Sequence, residues 1–146
     1  MRLRPVGEVS EAGDERATLT IYREYRRCLE GLEDFSHAWV LWWGHESDRS
    51  VRRVRPLHGR APTIVGVFAS RSPDRPNPVL LTLCRLLDVD PGRGRVRVEG
   101  LDAREGSPVI DLKPYLPGYD EPEGDVRVPE WFKRARRPPR TRSRRR

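Results

Sequence analysis

The sequence predicts a mainly β protein, specifically a small β-barrel with one or two short helices. Two observations support this: five or six short apolar stretches follow one another closely, and only one stretch has helical periodicity. A chain of 146 residues is long enough for one domain with a real core. We therefore expect a barrel domain over residues 1–132 and a disordered arginine-rich tail over residues 133–146.

The apolar stretches give the predicted elements in chain order. Leu19 and Ile21 alternate within ATLTIYREY and predict a strand. A short helix ending near Gly31 comes next, predicted from Tyr22, Tyr25, Leu29 and Leu32. The continuous apolar stretch HAWVLWWG predicts a strand buried on both faces. Further strands are predicted at TIVGVFAS, VLLTLCRLLDV, RVRVEGL and PVIDLKPYL, and DVDPGRGRV predicts a hairpin connection.

The net charge of +7 is concentrated near the C-terminus. Residues 133–146 hold nine Lys or Arg and no Asp or Glu, leaving 20 basic and 22 acidic residues elsewhere. With no apolar residue beyond Ala135, this segment cannot bury enough surface to offset its ordering entropy. Dense arginine displaces counterions from nucleic acid, so we interpret the tail as an RNA-binding arm, with a solubility tail as the alternative. The arm includes Lys133, Arg134, Arg136 and Arg137.

Several classes of protein have little support in the sequence. No apolar run reaches about 18 residues, and MRLRPVGEVS lacks the apolar core of a signal peptide, so we expect a cytoplasmic protein without membrane contact. Cys28 and Cys84 stand apart from each other and from any metal-ligand spacing, which predicts two buried, inert thiols and no metal site. The fingerprints of dinucleotide-binding folds, P-loops and hydrolase elbows are also missing.

The segment SRSPDRPNP is the strongest candidate for a functional loop. Its three prolines fix φ and bias the preceding residues towards extended backbone, so Arg71, Arg75 and Asn77 are held at low entropic cost. Preorganised arginines suit anionic or planar partners. The alternative is a rigid turn whose arginines pair with nearby carboxylates such as Asp74. Spacing alone leaves these two interpretations about even.

Other polar residues near the strands are weaker candidates. His37 precedes a buried strand and is more often structural, whereas His45 follows that strand where a loop opens. Asp111 lies inside an apolar run, so we expect it to be partly buried and to need a partner. Lys113 is a natural partner, and a structural ion pair is the favoured interpretation of the two.

Three stretches together resemble the TrmO/TsaA-like family. They are CLEGLEDFSHAWVLWWGHE, GVFASRSPDRPNPVLLTLCRLLDVD and VEGLDAREGSPVIDLKPYLPGYD, and the resemblance spans roughly residues 5–120. It implies a small β-barrel methyltransferase that uses S-adenosylmethionine. The implied reaction is N6-methylation of the threonylcarbamoyladenosine next to the tRNA anticodon, by a homodimer that holds the cofactor near its interface.

The resemblance also implies site residues. The cofactor-binding positions would be His45, Glu46, Arg71, Leu81, Leu101 and Asp102. The polar signature positions are Arg71, Arg75, Asn77, Asp111, Lys113 and Tyr115; all except Arg75, which joins the RNA-binding set, are candidates for a catalytic role. Their individual roles are not assigned by the sequence, and neither is a general base.

The sequence departs from the family pattern at two places that keep alternatives open. The segment GEVSEAGDERATL is too short for an extra loop that the family places after its first strand, and Leu80 replaces a family glycine. One alternative is a divergent barrel that binds RNA or a small ligand without chemistry. Another is a methyltransferase with a different acceptor, since fold and donor do not dictate the acceptor.

Overall fold

The computed structural model describes residues 1–135, which form a six-stranded antiparallel barrel with short accessory elements. The elements are β1 (Gly7–Ala12), β2 (Arg16–Ile21), β3 (His37–Trp43), β4 (Arg53–Val54), β5 (Val65–Gly66), β6 (Val79–Asp90), β7 (Arg95–Glu99), β8 (Pro108–Pro114) and α1 (Glu130–Arg134). The closed barrel has the strand order β1-β2-β7-β6-β3-β8, and β4 and β5 form a separate two-stranded ribbon. This result confirms the predicted mainly β barrel.

The barrel core follows from the two-residue period of its strands. Leu19 on β2, Val40 on β3 and Val96 and Val98 on β7 are all 0% exposed, while their chain neighbours point outwards. Burying one such side chain stabilises the fold by about 1.5–3 kcal/mol. The inner face is therefore filled by branched aliphatic side chains, and functional polar groups are left to the strand ends and the outer face.

The predicted hairpin between the long strand and RVRVEGL is confirmed. β6 pairs with β7 in antiparallel register from Arg85 opposite Glu99 to Asp90 opposite Arg95. Gly94 in the turn has φ +65°, and a Cβ there would lie 2.6 Å from the carbonyl oxygen of Ile21. Only glycine satisfies both the dihedral and the close approach at this position.

The stretch TIVGVFAS differs from its prediction as a barrel strand. Only Val65–Gly66 is extended, and Val67–Ala69 forms a 3-10 turn. Of its large apolar residues only Val67 is buried, whereas Ile64 and Phe68 are 46% and 89% exposed. The apolar run therefore reflects a surface segment rather than a sixth core strand; the sixth strand is β1, whose only strongly apolar residue is Val9.

Three further expectations change. The helix predicted up to Gly31 is a pair of 3-10 helices, Arg23–Leu29 and Leu32–Asp34, that meet at this glycine. β3 is fully buried only at Ala38 and Val40 of its inner face, because Trp39 and Leu41 on the outer face are half-buried. Cys28 is exposed, contrary to the prediction, whereas Cys84 is buried as expected.

The predicted tail begins inside an ordered element. Lys133 and Arg134 lie in α1, so regular structure continues two residues past the predicted domain boundary. Arg136 and Arg137, the other predicted RNA contacts of the tail, lie outside the described residues. No helix within residues 1–135 is long and apolar enough to cross a bilayer.

Candidate active site

The proline-rich loop that follows the 3-10 turn is fixed from within by Arg75. Its half-buried guanidinium donates to three main-chain carbonyls, those of Ser72 at 2.7 Å, Val67 at 2.9 Å and Ser70 at 2.6 Å. The Ser70 hydroxyl also donates to the Val67 carbonyl, at 2.8 Å. Arg75 therefore pairs with carbonyls and not with the carboxylate of Asp74, so the rigid-turn interpretation holds for this arginine through different partners.

Arg71 differs from Arg75 in its surroundings. Its side chain is exposed, and within residues 1–135 it makes no hydrogen bond or ion pair. All five guanidinium N–H donors of Arg71 are therefore open to solvent. The backbone that follows Arg71 is held in place by Arg75, which donates to the carbonyl of Ser72. The loop thus combines a structural arginine with an arginine that is free to bind an anion.

The loop docks on the segment that follows β3. Arg49 donates through Nε to the Pro76 carbonyl at 2.7 Å and through Nη2 to Asn77 Oδ1 at 3.2 Å. Its guanidinium carbon also lies 5.3 Å from the centre of the Trp43 ring, a cation–π distance. Arg49 was not predicted as a site residue, because nothing in its local sequence indicates contacts with residues 27 and 28 positions away.

A second bond ties the same two segments. The Asp48 amide donates to Asp74 Oδ1 at 2.8 Å. Two hydrogen bonds from Ser50 hold the pKa of the Asp48 carboxyl below its usual value. Asp48 is therefore ionised at neutral pH and accepts hydrogen bonds within its own turn. Asp74 holds the loop by accepting the bond from the Asp48 amide and not by pairing with an arginine.

Leu80 lies against Gly44 at the entrance to β6. A Cβ on Gly44 would come within 3.2 Å of the Leu80 side chain and 2.4 Å of the Ser47 hydroxyl. The Gly44 amide also donates to the Pro78 carbonyl at 2.9 Å. Because Gly44 has no side chain, it leaves room for Leu80, the residue that replaces a glycine of the family pattern.

The connection between β7 and β8 meets these segments through a polar network. Asp102 Oδ1 accepts a 2.6 Å hydrogen bond from the Thr82 hydroxyl, which in turn accepts the Trp42 indole N–H at 3.2 Å. Beside this chain of bonds, Arg104 pairs with Glu46 at 2.5 Å. The site therefore joins the end of β3, the start of β6 and the β7–β8 connection, with Leu101 buried beneath it.

His45 and Leu81, the other two predicted cofactor-binding residues of this group, lie at the same end of the barrel. His45 Nε2 lies 3.9 Å from Glu46 Oε1 and is exposed on the loop after β3. Leu81 is 42% exposed on the outer face of β6, opposite Leu41 of β3. Five of the six predicted cofactor residues thus lie on three adjoining segments, and the sixth, Arg71, belongs to the docked loop.

The remaining polar candidates lie on the outer face of β8 and directly after its last residue. Asp111 is half-buried and accepts a 2.9 Å bond from Lys113 Nζ, which confirms the expected ion pair. This bond and the negative charge of Asp111 raise the pKa of Lys113. The Tyr115 hydroxyl donates to Glu121 at 3.1 Å, and that bond, burial and the nearby carboxylates raise the pKa of Tyr115.

These shifts limit the chemistry open to two catalytic candidates. Lys113 stays a cation and Tyr115 stays protonated at neutral pH, so neither side chain is poised to accept a proton. Trp39 extends the same outer face: its indole N–H donates to Asp120 at 3.1 Å and its ring lies 6.4 Å from that of Tyr115. Lys113 and Tyr115 thus suit positioning or binding.

A shallow cleft beside the β1–β2 hairpin is lined by Glu11, Gly13, Arg16 and Arg97 and holds none of the predicted residues. Because the residue chemistry converges elsewhere, we place the site at the strand ends. No group of three or more potential metal ligands occurs among residues 1–135.

Comparison with known proteins indicates the family of this chain. Residues 8–121 match the family described as the tRNA-methyltransferase O N-terminal domain. A "probable S-adenosyl-L-methionine-binding protein" of Methanothermobacter thermautotrophicus is 44% identical over 134 residues, covering 82% of this chain and 93% of that protein. The tRNA (adenine(37)-N6)-methyltransferase of Mus musculus is 40% identical over 107 residues, covering 70% of this chain and 24% of that protein.

Solved structures give the same result. TrmO from Pseudomonas aeruginosa superposes with a TM-score of 0.68 at 30% identity, covering 87% of this chain and 60% of that chain. The chain thus spans most of the archaeal relative, about three-fifths of the bacterial protein and a quarter of the mouse protein. With this match over most of its length, the chain belongs to the family of the tRNA-methyltransferase O N-terminal domain.

Proposed function

We propose that this protein is an S-adenosylmethionine-dependent tRNA methyltransferase. The acceptor in this proposal is N6 of the threonylcarbamoyladenosine next to the anticodon. The names of the relatives support the donor and the tRNA substrate. One structural observation supports the site: five of the six expected cofactor residues lie on the three adjoining strand-end segments, and the loop of Arg71 is docked against them.

The residues present fit the cofactor chemically. S-adenosylmethionine has a cationic sulfonium, an amino-acid carboxylate and two ribose hydroxyls. Asp102 and Glu46 supply carboxylate oxygens that suit the hydroxyls, and Arg71 supplies an unpaired guanidinium that suits the carboxylate. The exposed Leu81 supplies apolar surface beside them.

The reaction asks little of the protein beyond orientation. The bound cofactor supplies a methyl group already activated by its sulfonium; transfer to N6 forms a carbon–nitrogen bond, breaks a carbon–sulfur bond and releases a proton. Alignment of donor and acceptor is the main contribution of the chain, through proximity and orientation. The docked loop suits this task because Arg49 and Arg75 fix its backbone before any ligand arrives.

The proposal includes a cytoplasmic homodimer. Its interface would use the outer face of β3, β6 and β8. On this face Leu41 of β3 is paired with Leu81 of β6 on one side and with Asp111 of β8 on the other. The apolar side chains of this face are half-buried or exposed in a single chain. Light scattering on the purified protein should give a dimer mass, and Leu81→Asp should give a monomer; a monomeric wild-type protein would remove this part of the proposal.

The function is tested by titration calorimetry with S-adenosylmethionine and S-adenosylhomocysteine, followed by methyl transfer. Saturable binding and transfer to tRNA that carries threonylcarbamoyladenosine, but not to tRNA lacking it, are expected. Binding with transfer only to another RNA would move the assignment to a different acceptor. No binding of either compound would favour a binding module.

A further inference from the structure

The positive charge of the barrel is concentrated in one surface segment, residues 49–73, which we call the arginine segment. It contains six arginines and one histidine and has no Asp or Glu, whereas the other described residues hold 16 Lys or Arg and 22 Asp or Glu. The segment includes the β4–β5 ribbon and ends in the loop of the candidate site. Basicity is therefore also a property of the barrel and not of the C-terminal tail alone.

These six arginines are exposed and carry no neutralising partner. Some arginines elsewhere form ion pairs, as Arg93 does with Asp90 and Arg104 with Glu46. Within residues 1–135, none of the six is paired with a carboxylate: Arg49, Arg52, Arg53, Arg55, Arg60 and Arg71.

Main-chain carbonyls hold several of these side chains near the surface. Arg52 donates to the carbonyl of Arg49 at 2.9 Å, Arg55 to that of Ala61 at 3.0 Å and Arg60 to that of Leu57 at 3.1 Å. Each bond uses one of the five donors of a guanidinium. The remaining donors are preorganised for an external anion, which costs less entropy than ordering free side chains.

Phe68 adds an aromatic surface to the same segment. Its side chain is 89% exposed, although its neighbour Val67 is buried. The backbone under the ring is rigid, because Arg75 donates to the carbonyls of Val67 and Ser70 on either side. An exposed ring on a fixed turn, in a segment whose arginines have no carboxylate partner, supplies the two features that bind unpaired nucleic acid: cationic groups for the backbone and a face for stacking.

We propose that the arginine segment is an RNA-contacting face, in which its five exposed arginines from Arg49 to Arg60 bind phosphates and Phe68 stacks on an unpaired base, while Arg71 stays with the donor site. This inference rests on the proposed tRNA methyltransferase function and adds the surface that would hold the RNA beside the donor site. It assigns the contact to unpaired nucleotides, such as those of a tRNA loop, because a paired base presents no free face to Phe68.

The test measures binding of bulk tRNA by the full chain as a function of salt, with S-adenosylmethionine affinity and molecular mass measured for every variant. Arg53→Ala should reduce the slope of log affinity against log salt by about 0.7–0.9, the value for one lost phosphate contact. Phe68→Ala should weaken tRNA binding by about 5- to 150-fold, the range measured for one stacked base. Arg23→Ala is the matched control, because Arg23 is exposed outside the segment.

Substitutions at Phe68 separate stacking from packing. Phe68→Trp retains a stacking face and should preserve binding, whereas Phe68→Leu retains only apolar bulk and should behave like Phe68→Ala. The inference would be overturned if Arg53→Ala, Phe68→Ala and Arg23→Ala all had the same tRNA affinity and the same salt slope. The proposed function would stand in that case, provided that the wild-type protein transfers methyl groups to tRNA. A loss of dimer mass in Phe68→Leu or Phe68→Ala would overturn the stacking role. Absence of tRNA binding by the wild-type chain would instead count against the proposed function itself.

Discussion

Replacing Arg75 by alanine should destabilise the protein far more than the same change at Arg71. Arg75 donates three hydrogen bonds from a half-buried charged group, to the carbonyls of Val67, Ser70 and Ser72. The Val67 carbonyl keeps other donors, including the Ser70 hydroxyl at 2.8 Å, so two bonds lose their only side-chain donor.

The magnitude follows from these two bonds. Hydrogen bonds to charged groups contribute about 1.5–3 kcal/mol each, and partial exposure favours the lower value, so Arg75→Ala should cost about 3 kcal/mol. For a chain of this size that corresponds to a decrease in Tm of about 6–12 °C. Arg71→Ala removes an exposed side chain without protein contacts and should change stability by no more than about 0.5 kcal/mol.

The assays are urea denaturation, thermal denaturation and calorimetric titration of S-adenosylmethionine for both variants. Arg71→Ala should retain stability and lose cofactor affinity, whereas Arg75→Ala should lose both because the loop is no longer fixed. Arg75→Lys keeps the charge but not the fork of donors, so most of the stability loss should remain. The reasoning is refuted if Arg71→Ala is as destabilising as Arg75→Ala, or if Arg75→Ala denatures at the wild-type urea concentration.

Three further predictions concern the outer face, the polar network and the tail. Asp111→Asn should lower the pKa of Lys113 towards 10.5, which NMR titration would measure. In the wild-type protein the Asp111–Lys113 pair should stabilise the fold fully below pH 10.5, and this contribution should be lost only as the pH rises through the raised pKa of Lys113. Thr82→Val removes the 2.6 Å donor to Asp102 and should weaken S-adenosylmethionine binding by about tenfold at a stability cost of about 1 kcal/mol. Deleting residues 136–146 should weaken tRNA binding and reduce its salt slope without changing cofactor affinity.

Each of these predictions has an opposing result. An unchanged titration of Lys113 in Asp111→Asn would mean that the ion pair does not persist in solution. Wild-type cofactor affinity in Thr82→Val would place Asp102 outside the site. Equal salt slopes with and without residues 136–146 would leave the arginine segment as the main RNA contact.

The barrel was predictable because its strands repeat every two residues. Val96 and Val98 alternate with arginines in β7, and that pattern alone identifies an inner and an outer face. β1 was missed because GEVSEA has one strongly apolar residue and gains its place from pairing with β2 and β8. TIVGVFAS was wrongly predicted as a barrel strand for the opposite reason: it is rich in apolar residues, but its extended part, Val65–Gly66, pairs only with β4 and not with a barrel strand.

For the candidate site, the sequence supplied the residues to consider but not the contacts between them. Family motifs selected Glu46, Leu81 and Asp102 as candidates, and in the structure these residues lie on adjoining segments at one end of the barrel. No local pattern could identify Arg49 as the side chain that docks the proline-rich loop, because its partners are 27 and 28 residues away. For the same reason the sequence left the roles of Arg71 and Arg75 undivided.

Closure of the barrel has a consequence for how copies of this chain meet. Since β1 pairs with β8, the six barrel strands present no free edge to which another strand can add. Within the described chain, the β4–β5 ribbon keeps open edges, and it is two residues long and begins at Arg53. Its positive charges repel an identical ribbon, so the residues that suit RNA also oppose sheet-to-sheet aggregation. Neutralising them should therefore lower solubility at low salt as well as RNA affinity.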